Sequence, residues 1–200
     1  MITGITTSLF AVLFFLFLFW KRLKEDYATE IVFRASAFIL VGLGTGLIFS
    51  LIYFPEWFFW SSLAGGMVGL YISILRLKVK FYETLEAFVF SSIPLVGMMF
   101  IKHSVESSSL SSFLGFLAVL LLAFLAHFFD SHYKGFNWYK SGKVGFAGLA
   151  VAAIFFLARF TLAIFKVTVL SFLGPSEVII SGIVGATSFL LLFNLGRVKE

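Results

Sequence analysis

The sequence predicts an all-α integral membrane protein, a bundle of seven transmembrane helices with the N-terminus outside and the C-terminus in the cytoplasm. Three observations carry that reading. Of 200 residues, 60% are hydrophobic and 12% charged, against roughly 25% charged in a soluble domain. The apolar residues fall into seven runs, each near the roughly 20 residues that cross a bilayer as a helix. Basic residues then alternate from one connection to the next. A chain with a mean hydropathy of +1.06 has no room for a soluble catalytic domain, so any chemistry lies between helices or at the membrane surface.

The expected spans are Ile2–Trp20, Ile31–Phe54, Trp57–Leu75, Val79–Ile101, Leu110–Phe129, Val144–Phe165 and Val178–Leu195. The first has no positive n-region, and its Lys21-Arg22-Leu23-Lys24 cluster follows the apolar run with no small-residue cleavage site, so it reads as an uncleaved N-out helix and not as a signal peptide. The fourth is the weakest, because Lys80, Glu83 and Glu86 lie in its first turns. Charge placement supports it. Connections after the odd spans carry eleven basic residues: Lys21, Arg22, Lys24, Arg76, Lys78, Lys80, Lys134, Lys140, Lys143, Arg197 and Lys199. Those on the other side carry two, Lys102 and Lys166, and Arg34 and Arg159 lie within spans. That is the positive-inside pattern. It also takes up the net charge of +5, which in a soluble protein would suggest nucleic acid.

No repeat or linker divides the chain, so residues 1–200 read as one transmembrane domain. Asp130 to Lys143, with His132, Tyr133, Trp138 and Tyr139, reads as an interfacial segment, and Ser107 to Ser112 as a short outer loop. The chain has no cysteine, which excludes disulfides, thiolate metal sites and an internal thiol nucleophile. No phosphate-loop, kinase, hydrolase or nucleotide motif is present, and no histidine pair has metal-ligand spacing. No cofactor or metal is expected.

Arg159 is the most informative residue. A charge at bilayer depth costs at least roughly 2.5–3.5 kcal/mol, so it faces a partner, a cavity or a ligand. It lies about six residues from the outer end of its span, roughly 9 Å at the helical rise. Gly65, Gly66 and Gly69 of the third span, and Gly42, Gly44 and Gly46 of the second, fall at a similar depth. Such glycines permit close helix packing. Alternatively, they open a groove for a lipid headgroup beside Arg159. No acidic residue is expected at that depth, since Glu83, Glu86 and Asp130 are near the inner face and Glu106 and Glu177 fall in outer loops. A structural ion pair or snorkelling competes with capture of a phospholipid phosphate by the planar guanidinium. Arg34, one turn from the inner boundary, reads as snorkelling. His127 shares a helix face with Asp130, which suggests a hydrogen bond between them, while His132 reads as a loop residue. His103 sits on the outer side beside Lys102 and three residues before Glu106, which clusters a base, a cation and a carboxylate, or simply marks a solvated loop.

The order of these features resembles a known family. Ser62-Leu63-Ala64-Gly65-Gly66-Met67-Val68-Gly69-Leu70, followed by Arg76-Leu77-Lys78, is similar to the Ser-Phe-His-Gly-Gly-Leu-Leu-Gly-Val segment of the bacterial prolipoprotein diacylglyceryl transferases. Phe81-Tyr82-Glu83-Thr84-Leu85-Glu86 with Pro94-Leu95 resembles the family's next helix, and Ala158-Arg159-Phe160 its later Arg-Phe helix. Gly42 to Tyr53 resembles its Gly-x-Arg entry. Residue by residue, only Gly65, Gly66 and Arg159 match motif positions. Ala64 stands at the family's histidine, Thr45 near its Gly-x-Arg arginine, and Phe100–Val105 where its Gly-Arg-x-Gly-Asn-Phe motif falls, with Lys102 nearest the arginine. Ala163 stands near the glutamate after Arg-Phe, and Lys166 near the arginine beyond.

The resemblance implies a seven-span, N-out protein of the bacterial cytoplasmic (inner) membrane that moves diacylglyceryl from phosphatidylglycerol to the lipobox cysteine of a preprolipoprotein. On that reading Arg159 and Lys102 bind the lipid phosphate, His103 and Glu106 supply acid–base catalysis, and Gly65, Gly66 and Gly69 line the groove. A catalytically inactive relative that binds lipid or a partner membrane protein is the alternative. A small transporter is disfavoured by the few polar side chains in the spans.

Overall fold

The computed structural model describes residues 2–136, 139, 144–165 and 169–197. Trp138, Lys140, Lys143, Lys166 and Lys199, which enter the charge and interface readings above, lie outside the described residues. The described chain is helical: α1 (Ile2–Leu23), α2 (Thr29–Tyr53), α3 (Phe58–Leu77), α4 (Phe81–Ser107), α5 (Leu110–His132), α6 (Phe146–Ile164) and α7 (Pro175–Gly196). All seven are long and apolar enough to cross a membrane, which makes this a multi-pass membrane architecture. One end of the bundle carries Arg22, Lys80, Lys134 and Arg197 and is called the basic end below.

Local chemistry sets the boundaries that hydropathy blurs. Gly174, at φ +58°, turns the chain and Pro175 starts α7, where a missing N–H costs nothing. The seventh helix therefore begins three residues before the expected Val178, and Glu177 lies inside its first turn. Lys78 (φ 56°) and Ser108 (φ 50°) end α3 and α4 in the left-handed conformation. The fourth helix runs on to Ser107, so Lys102, His103 and Glu106 sit on its last two turns and not in a loop. Ser109 caps α5, its hydroxyl accepting from the Ser112 amide at 3.4 Å. His132 is the last residue of α5.

Two antiparallel hairpins, α2–α3 and α6–α7, and a layer of α1, α4 and α5 make up the bundle, with α4 touching α1, α3, α5 and α6. The principal core lies toward the basic end, where Phe15 and Phe19 of α1 meet Phe88 of α4, and Phe146 and Leu149 of α6 close the cluster. Phe129, Tyr133, Phe136 and Tyr139 gather around Phe146. The segment after α5 thus folds back as an aromatic cover on that end. Large apolar side chains elsewhere, such as Leu120, Leu121 and Phe124 of α5, point outward, as lipid-facing surfaces do.

Close backbone approach holds the α2–α3 hairpin together. A Cβ placed on Gly42 or Gly65 would overlap the carbonyl oxygen of the other, one on Gly46 would overlap Ser61, and one on Gly69 would overlap Phe38. Ser73 adds bonds to the Gly69 carbonyl at 2.8 Å and, across the hairpin, to the Ala35 carbonyl at 3.3 Å. Gly65→Ala is therefore expected to destabilise the fold by about 1–3 kcal/mol, measured by urea unfolding in detergent. Gly44→Ala, whose Cβ would meet nothing within 4 Å, should stay close to the parent.

Candidate functional site

Arg159 is not an unpartnered charge. Its Nε donates to Glu177 Oε1 at 2.8 Å and its Nη2 lies 2.7 Å from the same oxygen. Nη1 donates to Ser171 Oγ at 3.0 Å and Nη2 to the Ser171 carbonyl at 3.1 Å. The rings of Phe59, Phe172, Trp60 and Phe155 surround the guanidinium, their centroids 4.2, 4.7, 5.6 and 5.7 Å away. The expectation that no acid reaches this depth is corrected: the helix start at Pro175 brings Glu177 into the bundle.

Glu177 is equally well satisfied. Trp60 Nε1 donates to Oε2 at 3.0 Å, Ser181 Oγ to Oε1 at 2.5 Å, and the Leu173 amide approaches Oε2 at 3.4 Å. Arg159 is 4% exposed and Glu177 0%. Two ions so fully desolvated are tolerated only because nearly every polar atom is bonded. As it stands, the guanidinium has no open face for a lipid phosphate.

The cluster is also a junction. The α3 backbone does not run close against α6 or α7; Trp60 and Phe59, in the first turn of α3, bridge the gap by packing on Phe156 and Phe155 of α6. Ser171, held at φ 75°, ties the α6–α7 connection to the same guanidinium.

The other expected site residues separate into distinct places. Gly65 and Gly69 back onto α2, and Gly66 faces Leu43 and Phe88, so helix packing fills the space of the expected groove. His103 Nδ1 lies 2.7 Å from Ser112 Oγ and 3.2 Å from Ser107 Oγ. Lys102 and Glu106 form a loose, exposed ion pair at 4.0 Å, while His103 takes its hydrogen-bond contacts from Ser112 and Ser107. This group draws its contacts from α4 and α5, Arg159 from α3, α6 and α7, and the two share no residue. Arg34, read as snorkelling, pairs with Glu30 at 2.6 Å on an exposed face.

Sequence reasoning missed a second charge cluster, at the basic end. Arg22 pairs with Glu86 and, at 2.6 Å, with Asp130, and its guanidinium lies 5.1 Å from the centroid of the Phe90 ring. Asp130 thus binds Arg22 and not the expected His127. Glu86 is fully enclosed, with Gly148 of α6 packed so closely that a Cβ there would lie 2.7 Å from the Glu86 Cα. Nearby, Tyr27 donates to Glu83 at 2.6 Å and accepts from the Lys80 amide at 3.0 Å. Burial first, then the bond to the Glu83 carboxylate, raises the Tyr27 phenol above its ordinary value. The signal for this cluster was present, since three spans carry a charge near the same boundary, but the positive-inside pattern had already accounted for Arg22.

No family model, no curated protein and no solved structure matches the chain.

Removing one partner of a buried ion pair strands the other. Glu177→Leu is expected to cost about 3–5 kcal/mol, and adding Arg159→Met should recover a large part of the loss. Equilibrium unfolding of both single variants and the double variant measures the coupling. Additive losses would show that the pair does not act as a unit.

Proposed function

We propose that this chain is a relative of the prolipoprotein diacylglyceryl transferases that no longer transfers diacylglyceryl and instead binds phospholipid or a partner membrane protein. It does so in the bacterial cytoplasmic membrane, with its basic end in the cytoplasm and its N-terminus outside. One observation carries the reading: Arg159, the single arginine that matches a family motif position, is bonded through all three nitrogens to Glu177 and Ser171. Transfer from phosphatidylglycerol needs a cation on the departing phosphate and a base at the thiol. Freeing Arg159 for the first task would strand Glu177 as an unpaired buried charge, and Ala64 offers no base where the family has a histidine.

A second reading retains activity, with His103 or Glu106 as the base and Lys102 as the cation. What favours it is the half-buried His103 held by Ser112 at 2.7 Å beside the Lys102–Glu106 pair. Phosphatidylglycerol labelled in its diacylglyceryl group, presented with a lipobox peptide to the reconstituted chain, separates the two. Peptide label at the level of empty membranes is the expected result. Label above that level, lost on His103→Ala, would overturn it in favour of the active enzyme.

A further inference from the structure

The Arg22 cluster differs from the Arg159 pair in its charge balance. Here one guanidinium, from α1, serves two carboxylates, Glu86 of α4 and Asp130 of α5. Glu86 is 2% exposed, and its Oε2 has no hydrogen-bond partner among the described residues; the Gly145 amide approaches the carboxylate without meeting hydrogen-bond geometry at that oxygen. An enclosed carboxylate with one oxygen unbonded is costly when ionised. With both carboxylates ionised, the group carries one negative charge more than the Arg22 guanidinium balances.

Among the described residues, the only further positive charge lining the site is Lys134. Arg22 and Asp130 open onto a cleft of about 350 Å³ whose other ionisable lining groups are Glu25, Asp26, Tyr133 and Lys134. Among the described lining groups, two acids stand against that one lysine. On the α6 side Gly145 and Gly148 present only backbone. Glu83, on α4 itself, is already bonded to Tyr27 and Lys80. No group of three or more His, Cys, Asp or Glu among the described residues is arranged to hold a metal ion. Because Asp130 is 30% exposed and lines the cleft, a proton has a route between solvent and the enclosed Glu86.

We propose that Glu86 and Asp130 form a proton-binding pair on Arg22, holding one proton between them and exchanging it through the cleft at the basic end. Intramembrane carboxylates of this kind are typical proton sites. The site joins α1, α4 and α5, so loss of the proton puts repulsion between the helices that meet there. It stands independently of the reading of the Arg159 end.

Infrared spectroscopy of the full chain in vesicles of ether-linked phosphatidylcholine, which has no ester carbonyl to mask the region, tests this at neutral pH. A protonated-carboxyl C=O band is expected in the parent, shifted on exchange into heavy water because the cleft is open. It should be lost in Glu86→Gln and also in Asp130→Asn, since either change leaves one carboxylate to one guanidinium. Absence of the band in the parent overturns the proposal whether or not the variants fold. So does a band that persists in either variant.

Discussion

The buried pair of Arg159 and Glu177 is the contact on which the end of the bundle opposite the basic cluster depends. Each ion is taken out of water, a penalty of several kcal/mol apiece that only near-complete bonding offsets. The partners come from four places: Trp60 from α3, Arg159 from α6, Ser171 from the connection, and Glu177 with Ser181 from α7. Along α2–α3 the helices touch through glycines, with Ser62 and Ser73 bonding across, and along α6–α7 Gly182 and Gly185 pack on Phe160 and Leu157 beside the ion pair. Between α3 and the α6–α7 hairpin backbone contact is sparse at most, so charge and aromatic rings do that work. The same contact is the observation behind the proposed function, because a guanidinium engaged on all sides serves as a joint.

The two charge clusters illustrate opposite solutions to one problem. At Arg159 the charges match one to one and the donors match the acceptors, which gives a closed structural unit. At Arg22 the charges do not match, one carboxyl oxygen is unbonded, and a cleft connects the group to solvent. Burial of ions in membranes is tolerated in the first case and tends to be functional in the second. The glycines show a similar division. Gly42 and Gly65 are consumed by helix contact, whereas Gly44 faces open space.

Most of the helix plan was legible in the sequence, because a bilayer forces runs of a fixed length on any chain that crosses it. Arg159 was also legible as a residue requiring an explanation. Its partner was not, because hydropathy starts the last helix at Val178, after the charge, while the backbone starts it at Pro175. Gly174-Pro175 was the available signal for the earlier start. The pairing of Arg22 with Glu86, 64 residues away, follows only from which helices are neighbours, and periodicity carries no such information. The groove expected at Gly65, Gly66 and Gly69 failed for a related reason: small residues allow close approach, and only the fold tells whether a helix or a ligand makes it.

Because the chain has no cysteine, spin labels can be placed on Trp57 and Ser176, two exposed positions flanking the Arg159 junction on α3's entry and α7's first turn. Pulsed electron–electron distance measurement in bilayers should give one narrow distribution for the otherwise native chain and a broadened, longer one when Glu177→Gln is added. A distribution left unchanged by that substitution would contradict the claim that the Arg159–Glu177 cluster, through Trp60, is what joins α3 to the α6–α7 hairpin.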